Sequence, residues 1–374
     1  MKSPNDIPLI ADIVLVGGGH AHIHILKMAG MEPLKSIIQQ NGIQITLVSS
    51  TVLTPYSGML PGFIAGHYTE DEIHLDLRKL CSFGNVKFIH AAATGITYEK
   101  GNTCDVKKKS ITGARGVVKL SDGRPDIRYD ALSIDIGSSP SLPAEFSSMH
   151  DRNEITPVKP IATFSKRWQS ICDRLRAAPI NAYSSTHPFK LVVVGGGAGG
   201  LELALSARHA LINILNEKIN HDSREKQLKR FDNCIHISVA TRGNDLLSSH
   251  NSSVRSIFKR ILSEKNIEIR YNAEVIGIMD AQEGKTVANS LRTLKLSQSS
   301  QDQQPIYFHE CLFCTSANAS SWLTTETPFD TTDSNFVKVK NTYECVNHPG
   351  VFAVGDCCHL IDDPRPKGKL QRYE

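Results

Sequence analysis

Two glycine-rich turns hold the residues best suited to chemistry in this chain. Gly17-Gly18-Gly19-His20-Ala21-His22 follows the apolar run Ala11 to Val16, and Gly195-Gly196-Gly197-Ala198-Gly199-Gly200 follows Lys190 to Val194. A glycine turn between a strand and a helix lets backbone approach a pyrophosphate. The helix N-terminus then supplies unpaired N–H groups and the positive end of a dipole. Gly195, Gly197 and Gly200 fill all three places of the G-x-G-x-x-G pattern. In the first turn Gly17 and Gly19 hold their places, but His22 stands where the third glycine belongs. That glycine permits close packing of helix on strand. The first helix must therefore sit farther away, or His22 must point aside.

A dinucleotide turn of this kind is usually followed by a carboxylate at the end of the second strand, where it binds a ribose hydroxyl. Here Ser49-Ser50 takes that place after Ile43 to Val48, and Thr241-Arg242 takes it after Cys234 to Ala240. A serine hydroxyl can still bond a ribose. Without a carboxylate nothing repels a 2′-phosphate, and Arg242 can attract one, so NADH and NADPH both stay open. Near the C-terminal end, Val351 to Val354 delivers Gly355 and then Asp356 at a strand's carboxyl edge, the edge at which open α/β sheets bind ligands.

Other constellations are weaker. Cys311 and Cys314 have C-x-x-C spacing, but no second pair completes a zinc set, and they read as buried strand cysteines. Cys357-Cys358 adjoins Asp356 and is the one pair that stays open as a redox pair; a vicinal disulfide is strained, so packing is the better reading. His20 and His24 share a helix face without a third ligand, so no metal site is expected. No Gly-x-Ser-x-Gly elbow or HExxH pair supports a hydrolase.

The elements that must position these residues are strand–helix–strand units. Each glycine turn sits between a β-branched run and a helical pattern, with a second strand further on, which is a parallel βαβ unit. Tyr129 to Ile136, Ile267 to Tyr271 and Tyr307 to Cys314 read as further strands. Asn220 to Lys229 reads as a polar surface insertion. The chain has 374 residues, 40% hydrophobic and 21% charged, with a net charge of +4 and 6% aromatics. That balance fits two or three folded domains and argues against nucleic acid as a partner. Nine scattered cysteines and no apolar leader point to a reducing compartment, cytoplasmic or organellar. No run is apolar enough for a transmembrane segment.

With these motifs on the page, the chain resembles the pyridine nucleotide-disulfide oxidoreductase superfamily, in its type II NADH dehydrogenase-like branch. It is most similar to the flavoprotein module associated with selenide, water dikinase. The narrow likeness rests on Gly17 to His22, Pro55-Tyr56-Ser57-Gly58-Met59-Leu60-Pro61-Gly62, Leu75-Asp76-Leu77-Arg78 and Pro157-Val158-Lys159-Pro160. It implies an α/β fold of two Rossmann-like FAD/NAD(P)-binding domains, the second inserted in the first. Residues 1–158 and 310–374 would bind FAD, and residues 159–309 would bind NAD(P)H.

On this likeness Gly17, Gly18, Gly19, His20, Ser49, Tyr56, Gly58 and Asp356 hold FAD, with Asp356 on the ribityl chain. Gly195, Gly197, Gly200 and Arg242 hold NAD(P)H as co-substrate. Glu202 matches a glutamate near the nicotinamide–flavin contact; the plainer reading is an acid at the helix start that complements its dipole. Arg365 and Lys367 either reach the flavin or belong to a solvated tail. The implied function is hydride transfer from NAD(P)H to FAD and on to a small acceptor, possibly a quinone. The alternative is a FAD-binding sensor or structural flavoprotein, or an inactive truncated fragment. The family's further interface domain, and the homodimer it would build, are expected to be absent, because only residues 357–374 follow Asp356.

Overall fold

The computed structural model describes residues 9–100, 114–140, 146, 155–179, 181–218, 231–279, 291–297, 304–315 and 317–362. The stretch from Asn220 to Lys229, and Arg365 and Lys367, lie outside them. In chain order, the elements that build the two main sheets begin with β1 (Ala11–Val16), α1 (His20–Ala29), β2 (Ile43–Ser49), α2 (Leu77–Gly84), β3 (Lys87–His90) and β4 (Ala131–Ile134). They continue with β5 (Thr156–Pro157), α3 (Ile161–Ala177), β6 (Phe189–Val194), α4 (Ala198–Glu217), β7 (Ile235–Ala240), β8 (Ile267–Arg270), β9 (Glu310–Phe313) and β10 (Val351–Ala353).

The chain divides into two compact units. The first comprises Met1–Tyr56, His74–Ser139 and Ala317–Glu374. Its main sheet is parallel, in the order β10-β4-β1-β2-β3. A strand covered on both faces buries both sets of alternating side chains, and β1 does so. Leu15 packs with Leu26 of α1 and Leu77 and Cys81 of α2. Val14 and Val16 face the other way, toward Val118, Val337 and Val351. Between β3 and β4 the chain forms an antiparallel sheet of Ala93–Ile96, Ala114–Leu120 and their neighbours.

The second unit comprises Ser57–Ile73 and Pro140–Ser316. Its main sheet repeats the plan, parallel in the order β5-β9-β6-β7-β8. Leu191 and Val193 of β6 pack with Leu201, Ala204 and Leu211 of α4 and with Phe164 and Trp168 of α3. Val192 and Val194 face Leu294, Phe308 and Phe313. An antiparallel sheet again intervenes, here between β8 and β9, built from Val275–Met279, Arg292–Leu296 and Tyr307–Phe308.

The compact units differ from the expected segments in three places, one of them β9 (Glu310–Phe313), expected in the first unit and paired with β6 in the sheet of the second. Pro140 to Val158 groups with the second unit, and so does Ser57–Ile73, whose Leu60, Ile64 and Ile73 enter the core around α3 and α4. The run Tyr307 to Cys314, expected as one strand, is two. Tyr307–Phe308 belongs to the antiparallel sheet and β9 to the parallel one. The break falls at His309, whose Nδ1 accepts the Lys190 N–H at 2.9 Å.

Candidate dinucleotide-binding sites

The two glycine turns have one geometry. The Gly17 N–H donates to the Val48 carbonyl at the end of β2, and the Gly195 N–H donates to the Ala240 carbonyl at the end of β7. Both glycines have positive φ, +99° and +132°, a conformation that L side chains rarely adopt. A Cβ on Gly17 would lie 2.2 Å from the Asp135 carbonyl oxygen, and one on Gly195 would lie 2.0 Å from that of Cys314. Asp135 and Cys314 are equivalent, since each directly follows the strand that pairs with the glycine-bearing one, β4 beside β1 and β9 beside β6. Gly19 and Gly197 cap α1 and α4 in extended conformation.

At the third position the turns part. In the second, a Cβ on Gly200 would sit 2.0 Å from the Gly195 carbonyl oxygen, so only glycine lets α4 pack there. In the first, the fully buried His22 ring fills the gap. Its Nδ1 lies 2.7 Å from the Gly17 carbonyl oxygen and its Nε2 lies 2.8 Å from Ser133 Oγ. A carbonyl only accepts, so Nδ1 carries the proton and Nε2 accepts from the serine hydroxyl. Burial pushes the imidazole pKa down to about 4, and the ring is neutral at physiological pH.

Sequence reasoning missed Asp135. It is 4% exposed, and its Oδ2 accepts the N–H groups of Ala21 (3.0 Å) and His22 (3.4 Å) in the first turn of α1. Burial pushes its pKa up to about 6, with the negative charge of Asp356 adding to the rise. The carboxyl also dictates two glycines. A Cβ on Gly19 would lie 2.1 Å from its Cγ, and one on Gly355 (φ +68°) would lie 2.7 Å from its Oδ1. The available signal was a carboxylate at the end of an apolar strand, directly before Ile136-Gly137. Asp356 follows Gly355 in a single 3-10 turn.

The other first-unit candidates surround this turn. Gly18 leaves room for Leu77, whose Cδ1 would lie 2.6 Å from a Cβ there, and its carbonyl accepts from Thr54 Oγ1 at 2.8 Å. The His20 ring stacks on Tyr56 with centroids 4.0 Å apart, and burial lowers its pKa. Ser49 is buried at the end of β2, and its hydroxyl accepts the Thr51 N–H at 3.3 Å. Gly58 belongs to the other compact unit.

In the second unit Gly197 differs from its neighbours, because a Cβ there would meet nothing within 4 Å. The space over the start of α4 is open, where backbone can meet a ligand. Glu202 lies on the exposed side of α4 in its second turn; the first turn holds no acid. A dipole effect fades beyond the first turn, which weakens the plainer reading of this residue. Partial desolvation raises its pKa. Arg242 is exposed beyond β7, next to the buried Thr241.

No disulfide joins the described cysteines. Burial pushes the Cys314 thiol up to about 11 and Cys311 higher still, so neither is a reactive thiolate at neutral pH. Cys357 and Cys358 donate to the carbonyls of Val354 and Gly355, at 3.2 and 3.3 Å. Among the described residues no three histidine, cysteine or acidic side chains gather as a metal site, and no helix is long and apolar enough to cross a membrane.

The sequence profile of the pyridine nucleotide-disulphide oxidoreductase family matches residues 11–373. The chain belongs to this family. No curated protein sequence matches it. Among solved structures it is similar to NDH2 from Plasmodium falciparum in complex with NADH, at 16% identity and a TM-score of 0.67, over 94% of this chain and 65% of that one. It is also similar to the sulfide:quinone oxidoreductase of Aquifex aeolicus, at 16% identity and a TM-score of 0.64, over 93% and 68%. A third similar structure is the covalent putidaredoxin reductase–putidaredoxin complex, at 18% identity and a TM-score of 0.62, over 96% and 70%. At these identities the likeness shows the fold, two Rossmann-like units. The chain spans about two thirds of the length of these structures.

Proposed function

We propose that this chain is a flavoprotein NAD(P)H dehydrogenase, with FAD held by the first glycine turn and NAD(P)H by the second. The observation that carries this reading is the repeated sheet: four parallel strands in the same order, β4-β1-β2-β3 and β9-β6-β7-β8, with the same strand–glycine–helix turn on the central strand of each five-stranded sheet. The residues present fit both ligands. The open face over Gly197 accommodates a pyrophosphate on the N-terminus of α4. In the first unit Gly19 ends in extended backbone before α1, and Asp356 supplies a hydroxyl-binding carboxylate at the sheet's carboxyl edge.

The bound cofactors supply the redox chemistry: hydride passes from the nicotinamide to the flavin, and the electrons leave to a small acceptor, a quinone among the candidates. The protein's part is to bind and orient. Gly17 to His20 and Ser49 hold the FAD phosphates and ribose, and the His20–Tyr56 stack walls that site. Gly195, Gly197 and Gly200 hold the second pyrophosphate, and Arg242 favours a 2′-phosphate where one is present. Glu202, exposed in the second turn of α4, orients the nicotinamide. The buried, neutral thiols take no part, so electrons do not pass through a cysteine pair.

The test is purification of the chain, release of its chromophore by heat, and identification of that chromophore as FAD. Consumption of NADH and NADPH is then followed with a soluble quinone as acceptor. Quinone-dependent oxidation supports the reading. A chain that carries FAD but never oxidises NAD(P)H is a binding flavoprotein.

A further inference from the structure

The start of α1 already holds a carboxylate where FAD on the first turn would bring a doubly charged pyrophosphate. Asp135 takes the N–H groups of Ala21 and His22 through Oδ2 alone, while Oδ1 faces Gly19 and Gly355. A helix N-terminus carries only about half a positive charge, too little for three negative charges in one buried place. Protonation on Oδ1 removes one of them and leaves both Oδ2 contacts intact.

We propose that Asp135 makes FAD retention proton-linked: FAD binds together with one proton on this carboxyl and is released more readily as pH rises. The proposal rests on FAD occupying the first turn. The groups that face Asp135 agree with it. Asp356, on the turn at Gly355, opposes its ionisation; His20 and His22 of α1 are kept neutral by burial; and the Cys357 thiol is bonded to the Ile134 carbonyl. The Gly17–Gly19 turn carries no charge. Asp135 is ionised in the apoprotein above about pH 6, so the linkage acts in the physiological range. Its role is to position and hold a proton, not to react.

The experiment titrates FAD into deflavinated full-length protein from pH 5.5 to 8.5, following flavin fluorescence, for the wild type and for Asp135→Asn. The wild-type Kd is expected to rise above pH 6 by up to roughly tenfold per pH unit, the limit for one linked proton. Asp135→Asn keeps tight binding with a flat profile. A flat wild-type profile, or the same slope in both proteins, overturns the proposal. Should Asp135→Asn fail to fold, calorimetry of FAD binding to the wild type in two buffers of different ionisation enthalpy counts the proton directly: about one taken up at pH 7.5 supports the linkage, none overturns it. Absence of FAD binding at every pH overturns the FAD assignment and this inference together.

Discussion

His22 Nδ1 bonds the Gly17 carbonyl oxygen at 2.7 Å, in the position where the second turn leaves only 2.0 Å between the Gly195 carbonyl oxygen and a Cβ on Gly200. The two turns therefore solve one packing problem in opposite ways. One brings the helix against the turn through glycine; the other sets it back and fills the gap with a neutral, doubly bonded imidazole. The departure at position 22 is a structural element of the first turn and is compatible with a ligand on it.

Replacing His22 by glycine should therefore damage the first unit. It leaves a cavity, an unmet Gly17 carbonyl and an unmet Ser133 hydroxyl, at a cost of about 2–4 kcal/mol. Urea denaturation of His22→Gly measures this. A change below 1 kcal/mol would show that the helix simply closes onto the turn.

Two titrations oppose each other between pH 4 and 6. His22 has its pKa lowered from 6.5 to about 4. It contributes about 3 kcal/mol that is fully present above pH 6.5 and is lost as pH falls toward 4. Asp135 has its pKa raised from 3.8 to about 6, so its contribution is present below 3.8 and lost as pH rises through 6. Relative to the wild type, apo Asp135→Asn should lose stability more steeply on acidification, and His22→Gln less steeply. Melting temperatures from pH 4 to 7 check both signs, and parallel curves for the three proteins would contradict the assignment.

Gly195 and Gly197 should separate folding from binding. Gly195→Ala forces a Cβ onto the Cys314 carbonyl at φ +132° and should destabilise by roughly 3 kcal/mol or more. Gly197→Ala meets no protein atom within 4 Å and should change stability by about 1 kcal/mol at most. It should nonetheless weaken NAD(P)H binding at least tenfold, because the methyl group occupies the space left for the pyrophosphate. Unchanged affinity in Gly197→Ala would remove the ligand from this turn.

Arg242 is exposed beside the buried Thr241, with no carboxylate at the end of β7. Arg242→Glu should lower NADPH affinity relative to NADH by about tenfold or more, through loss of a charge-assisted contact and gain of repulsion. Equal effects on both nucleotides, or none, would place Arg242 outside the 2′-phosphate site.

The repeated strand–glycine–helix units were legible in the sequence because they are local: β-branched runs, glycines at fixed spacing and helical periodicity lie within a few residues. The position of Asp356, just beyond a short apolar strand, was legible for the same reason. Asp135 was not, since its importance arises from residues over a hundred positions away, at Gly19 and Ala21. The packing of Leu60, Ile64 and Ile73 into the second unit is likewise a long-range contact that an apolar pattern alone does not assign. The break at His309 reflects a change of sheet, which a continuous apolar run conceals.

The account turns on electrons moving from a nucleotide on the second turn to a flavin on the first. Anaerobic titration of the purified chain with NADPH, and separately with NADH, tests this most directly. The yellow flavin band should bleach with about one equivalent of at least one nucleotide and return on admission of a quinone. A band that stays unchanged under excess of both nucleotides would contradict the account.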